Sequence, residues 1–221
     1  MKSKINESIE LNYEVTGTGP NVILLHGNGE DLHIFDALVS QLNKSFTVYA
    51  VDSRDHGKST QTNESFNYLD LTEDIHQFIQ KLQLENVTVL GFSDGGIIAL
   101  LLGIRQERYL YKLISLSPNL SPKDWKKTPL TKIQERYEET KDPMFYLMLN
   151  EPNIDPKELK NILVPTLVTA GEHDLFYRSM YRTIEKNIPE AELHILEDED
   201  HSSYIIDTDK MADVFSAFIR R

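Results

Sequence analysis

The chain has 221 residues, 40% of them hydrophobic and 26% charged, with 35 acidic against 23 basic side chains and no cysteine. That length fits one globular domain with a full core, and without cysteine there are neither disulfides nor thiolate metal sites. A net charge of −12 repels phosphate backbones and anionic lipid, so neither nucleic-acid nor membrane partners are expected.

The first residues, Met1-Lys2-Ser3-Lys4-Ile5-Asn6-Glu7, place no apolar run behind the lysines, unlike a secretory signal. The longest apolar stretch, 97–104, is too short to span a bilayer, and a cytoplasmic protein is the expectation. Residues 9–15 alternate apolar and polar, the period of a half-buried strand, and 16–20 read as a turn. The run 22–25 is continuously apolar, as in a strand covered on both faces. A helix is predicted over 32–42, a strand over 46–51, an amphipathic helix over 68–82, a strand over 87–90, a helix over 95–104 and a strand over 113–116. Residues 118–162 are irregular, with helical patterns around 130–139 and 143–149. The rhythm then resumes: strand 166–169, helix 180–187, strand 192–196, helix 210–219. Strands alternating with helices predict an α/β fold with a mainly parallel sheet and helices on both faces. The irregular region reads as a short cap insertion, about 119–163, within a single domain; there is no internal repeat.

The chemistry centres on Gly91-Phe92-Ser93-Asp94-Gly95, followed by Gly96, between a predicted strand and a predicted helix. A serine on such a turn is strained, and small neighbours let the backbones approach. The helix N-terminus favours developing negative charge. Taken alone the pattern also suits a glycine-rich helix start with an exposed serine. A serine hydroxyl needs a base to activate it. Asp174 follows the strand 166–169 and His201 follows the strand 192–196, both in loops at carboxyl ends, where open parallel sheets place ligands. Ser93, Asp174 and His201 therefore converge, in the chain order Ser-Asp-His. Glu172 is the alternative acid, while His173 and His194 read as packing or surface residues. The acidic run 197–200 is either a solvated loop or a device that favours the imidazolium. After the strand 22–25, His26-Gly27-Asn28-Gly29 is either a simple glycine turn or the second half of an oxyanion hole, with the backbone N–H groups of Asn28 and Asp94 as donors.

These features carry a resemblance. His26-Gly27-Asn28, Asp52-x-Arg54-x-His56-Gly57-x-Ser59, the serine turn, Gly171-x-x-Asp174 and the late His201 resemble the α/β-hydrolase family over essentially the whole chain. The resemblance implies a serine hydrolase that cleaves a small carboxylic ester, with Asn28 as the second oxyanion donor and residues 52–59 in a structural role. No cofactor or metal is expected, and the implied partner is a small acyl substrate. Perhydrolysis and carbon–carbon bond cleavage use the same triad, and a non-catalytic binding protein on this fold is a further alternative. Candidate substrate contacts are Phe92, Asp94, Trp125 and Tyr146; Tyr137, Phe145 and Met148 are further wall candidates in the cap. Some relatives with a Ser-Asp-Gly-Gly turn act on amino-acid esters, which would give the Asp94 carboxylate a cationic group to attract.

Two rival readings are weaker. Gly27-x-Gly29 with Asp52 mimics a dinucleotide fingerprint, but the third glycine position is Leu32, which would crowd helix against strand. Gly57-Lys58-Ser59 lacks the first glycine of a phosphate-binding loop, Asp52 standing in its place. No metal-ligand spacing such as His-Glu-x-x-His is present.

Overall fold

The computed structural model describes residues 1–62 and 65–221. Its strands are β1 (Lys2–Lys4), β2 (Glu10–Thr16), β3 (Asn21–Leu25), β4 (Thr47–Val51), β5 (Val87–Phe92), β6 (Leu110–Leu116), β7 (Thr166–Gly171) and β8 (Ala191–Leu196). The helices are α1 (Asp36–Leu42), α2 (Tyr68–Lys81), α3 (Asp94–Ile104), α4 (Lys127–Thr140), α5 (Pro143–Asn150), α6 (Arg178–Asn187) and α7 (Ala212–Arg220). Among the described residues they build one sheet in the order β1-β2-β4-β3-β5-β6-β7-β8. The β1/β2 and β2/β4 pairs are antiparallel, and every later pair is parallel.

The sheet divides the core into two because neighbouring side chains of a strand point to opposite faces. Val22 and Leu24 join a cluster with Leu38, Phe215 and Ile219, the apolar stripes of α1 and α7. Ile23 and Leu25 join Ile75, Phe78, Ile98 and Ile184, from α2, α3 and α6. Central β5 is buried at all six positions, the polar Thr88 included, as in a parallel strand covered on both faces. Helix α2 begins at a reciprocal capping box between Asn67 and Asp70, which satisfies two backbone donors at the first turn.

The expected α/β architecture is present, with local differences. Residues 32–42 are a 3-10 turn at Leu32–Phe35, capped by the Asp31 side chain, and only then α1. Strand β1 has no apolar face to signal it; only Ser3 turns inward, and the strand is held by pairing with β2. Between β6 and β7 lie α4, which buries none of its residues, and α5, which buries Leu147. This segment is tied down at Trp125, which bridges Phe176 in the loop after β7. No helix among the described residues is long and apolar enough to cross a membrane.

The parallel strands bring the carboxyl ends of β3 to β8 to one rim. The loops after Leu25, Phe92, Gly171 and Leu196 all open there.

Candidate active site

Ser93 sits between β5 and α3 with φ 51° and ψ −111°, a left-handed conformation costing about 1–3 kcal/mol. Close packing holds it there. A methyl group on Gly91 would lie 2.0 Å from the Gly95 carbonyl oxygen, and one on Gly95 would lie 2.1 Å from that of Leu25. Only glycine lets strand, turn and helix come this near. The Ser93 N–H donates to Leu116 O and the Gly95 N–H to His26 O, so the turn is anchored to both neighbouring strands.

His201 and Asp174 meet the serine across the rim. The imidazole Nε2 lies 3.2 Å from Ser93 Oγ, and Nδ1 lies 2.8 Å from Asp174 Oδ1. Asp174 is 2% exposed. Burial opposes its charge, but the bonds from His201 and Ser117 outweigh that, and its carboxyl is held below the usual carboxylate range. Ser117, the residue after β6, donates to Asp174 Oδ2 and also contacts the buried Tyr204 hydroxyl at 2.7 Å. Lys126 donates to the Asp174 carbonyl at 2.6 Å. The ring of Phe92 lies 5.1 Å from that of His201 on one side, and Phe176 lies 5.6 Å away on another.

The loop after β3 is held at every residue. His26 Nδ1 donates to Gly27 O at 2.7 Å, and its Nε2 accepts from Ser53 N at 3.0 Å. Burial and the neighbouring His56 lower its pKa to about 4, so the imidazole is neutral in the tautomer these bonds need. Gly29 N donates to His56 Nε2 at 3.0 Å, and Gly27 N to Glu30 Oε2 at 2.9 Å. The Asn28 amide donates to Asp94 Oδ2 at 3.1 Å. The backbone N–H groups of Asn28 and Asp94, by contrast, meet no acceptor among the described residues.

The four candidate substrate contacts sit at different depths around the site. Phe92 is 1% exposed and packs its ring against the imidazole of His201. Trp125, 7% exposed, packs edge-on against Phe176 at 4.5 Å, one ring removed from His201. Tyr146 is 50% exposed and lies against Tyr137 at 5.8 Å. It is Met144, two residues earlier, that reaches the site, with Sδ 3.8 Å from the Asn28 amide. The Asp94 carboxylate is not waiting for a ligand: Tyr68 OH donates to Oδ1 at 2.7 Å while Asn28 holds Oδ2. Burial raises its pKa against those two bonds.

Glu172 and His173 are exposed, so neither stands in for Asp174 or His201. With Asp198 they bring one ligand atom each within 4.8 Å of one another, a grouping that sequence spacing did not suggest and that exposed acidic groups form without an ion. In the acidic run, Glu199 is taken up by Lys210 and Ser203, and Asp200 by the backbone of Ser202 and Ser203. Asp52, the residue that mimics a cofactor ligand, is buried and already accepts from Leu32 N, Lys58 N and the Asn12 amide. Ser117, Tyr68, Met144 and Glu30 escaped the sequence reading. Ser117 and Glu30 share the one available signal, a polar residue in the loop directly after a parallel strand.

A family model for the alpha/beta hydrolase fold matches residues 20–145. The uncharacterized hydrolase YraK of Bacillus subtilis is 32% identical over 112 residues, 50% of this chain and 41% of that protein. The chain thus spans about two fifths of that relative's length. The serine hydrolase BPHL of Homo sapiens is 26% identical, with 94% of this chain and 81% of that protein covered. Among solved structures, the esterase EaEST from Exiguobacterium antarcticum superposes with a TM-score of 0.84 at 21% identity, over 96% of each chain. With more than half of the sequence inside the family match and the sheet built as described, the chain belongs to the α/β-hydrolase family.

Proposed function

We propose that this protein hydrolyses small carboxylic esters through Ser93, His201 and Asp174. The observation that carries the reading is the unbroken relay from Asp174 Oδ1 through the imidazole to Ser93 Oγ, at 2.8 and 3.2 Å. His201 takes the hydroxyl proton as Ser93 Oγ attacks the ester carbonyl. Asp174 supports the imidazolium, and the free N–H groups of Asn28 and Asp94 hold the oxyanion. Collapse of the tetrahedral intermediate expels the alcohol, which leaves with the proton from His201. Water then attacks the acyl-enzyme, giving up a proton to His201, and the carboxylic acid departs as Ser93 recovers its hydrogen. The names of two relatives, a serine hydrolase and an esterase, agree with this reading.

The test is turnover of a panel of short chromogenic esters. Wild type should hydrolyse acetyl or butyryl esters, and Ser93→Ala should lower kcat by roughly 10⁴-fold or more. Undiminished hydrolysis by Ser93→Ala would remove the serine from the mechanism.

A further inference from the structure

Glu30 is an ionisable side chain at this rim that the mechanism leaves without a task. Its Oε2 accepts from the Gly27 N–H at 2.9 Å, while its own N–H donates back to Gly27 O. The residue thus clasps the loop whose tip carries Asn28. A methyl group placed on Gly27 would lie 2.8 Å from Glu30 Oε2 and 3.0 Å from Ser93 Cβ. The carboxyl and the nucleophile therefore flank the same position. The second oxygen, Oε1, accepts no hydrogen bond among the described residues.

We propose that Glu30 selects substrates by charge: its carboxyl, facing whatever group is bound at Ser93, disfavours anionic acyl groups and favours cationic ones once it is ionised. The proposal rests on the ester-hydrolase reading for its substrate class and on Glu30's position for its selectivity.

The charged groups around Glu30 decide when this selection operates. From the start of α3 comes Asp94, from the loop after β8 comes His201, and from its own loop comes Asp31. His56, from the turn after β4, holds the adjoining Gly29 N–H and acts on Asp94. Partial burial raises the Glu30 pKa to about 7, helped by Asp94 and Asp31 and opposed by the Gly27 bond and His201. The carboxyl is therefore mostly neutral at pH 6 and mostly ionised at pH 8, and the selectivity turns on between them. Asp94 differs because two donors occupy its oxygens.

The experiment measures kcat/KM from pH 6 to 8 for three esters of matched size, with neutral, ammonium-bearing and carboxylate-bearing acyl groups. Only the form with neutral His201 turns over, so the cationic-to-anionic ratio cancels the base's own titration. In wild type that ratio should rise about tenfold across this range, the size expected of a partly screened charge at such a distance. In Glu30→Gln, which keeps an acceptor for Gly27 N–H, it should stay flat. A flat wild-type ratio overturns the proposal, whatever the variant does, and so does a rising ratio that survives in Glu30→Gln. The neutral ester reports separately on the hydrolase reading. If no ester turns over, inactivation rates with cationic and anionic serine-directed phosphonates read the same ratio without catalysis.

Discussion

Ser117 follows β6 with a left-handed backbone, φ 47°, and turns its hydroxyl onto Asp174 from 57 positions away. It acts through Asp174, as a positioning residue: it holds the carboxylate that holds the imidazole. A hydrogen bond to a charged group contributes about 1.5–3 kcal/mol, so Ser117→Ala should lower kcat/KM for a neutral ester roughly 10–100-fold. An unchanged kcat/KM would show that His201 needs no such support. Burial and the nearby Asp174 charge push the hydroxyl pKa of Tyr181 and Tyr204 well up, so both stay neutral around the acid. At this scale the sequence was informative where chemistry and chain position coincide. Ser93, Asp174 and His201 each follow a strand at its carboxyl end, and Ser93 is flanked by glycines with a visible steric purpose. Ser117 and Tyr68 carry no comparable mark, because each gets its meaning from a partner brought near by folding. The aromatic residues pose the opposite problem. Their types fit a substrate wall, but only coordinates distinguish a ring that faces a ligand from one that backs a histidine.

The loop of residues 26–30 shows how an element is fixed by bonds instead of by propensity. Its four clasps come from Ser53 N, His56, Glu30 and Asp94, three of them remote in sequence. His26 gives the loop a pH dependence. Its folded pKa of about 4 lies below its ordinary 6.5, so the unfolded chain binds the proton first. The associated stability is present above pH 6.5 and is lost as pH falls towards 4, by about 3 kcal/mol in full. Glu30 has the opposite sign: its folded pKa is raised, so its contribution is present at low pH and is lost as pH rises through 7. Urea unfolding between pH 6.5 and 4.5 should therefore give a shallower loss of stability for His26→Gln than for wild type. Equal slopes would mean that His26 takes up its proton in the folded protein as easily as in the unfolded one. Helix and strand identities were mostly readable from periodicity, since the buried faces are long and apolar. Strand β1 and the 3-10 turn were not. The first has no apolar stripe, and the second differs from a helix only in its hydrogen-bond spacing.

Across the whole molecule, one sheet carries the argument. Because β3 to β8 run parallel, their carboxyl ends lie on one side of the sheet, so residues 93, 174 and 201 come together without any local sequence signal for their contact. The order of elements was legible because each unit repeats the same pattern of apolar strand and amphipathic helix. The segment between β6 and β7 was less so: α4 rests only the partly buried Leu130 and Ile133 against the core and fully buries no residue, which leaves periodicity a short stripe to detect. What that segment supplies to the site is Met144 at the Asn28 amide and Lys126 at the Asp174 carbonyl.

The central claim is that Ser93 is the nucleophile made reactive by His201. Covalent labelling with a serine-directed phosphonate, followed by mass mapping of the peptides, tests it most directly. The account predicts one adduct, on Ser93, formed at least a thousandfold more slowly in a His201→Ala variant that folds normally. An adduct on another serine, or equally fast labelling of Ser93 without the imidazole, would contradict it.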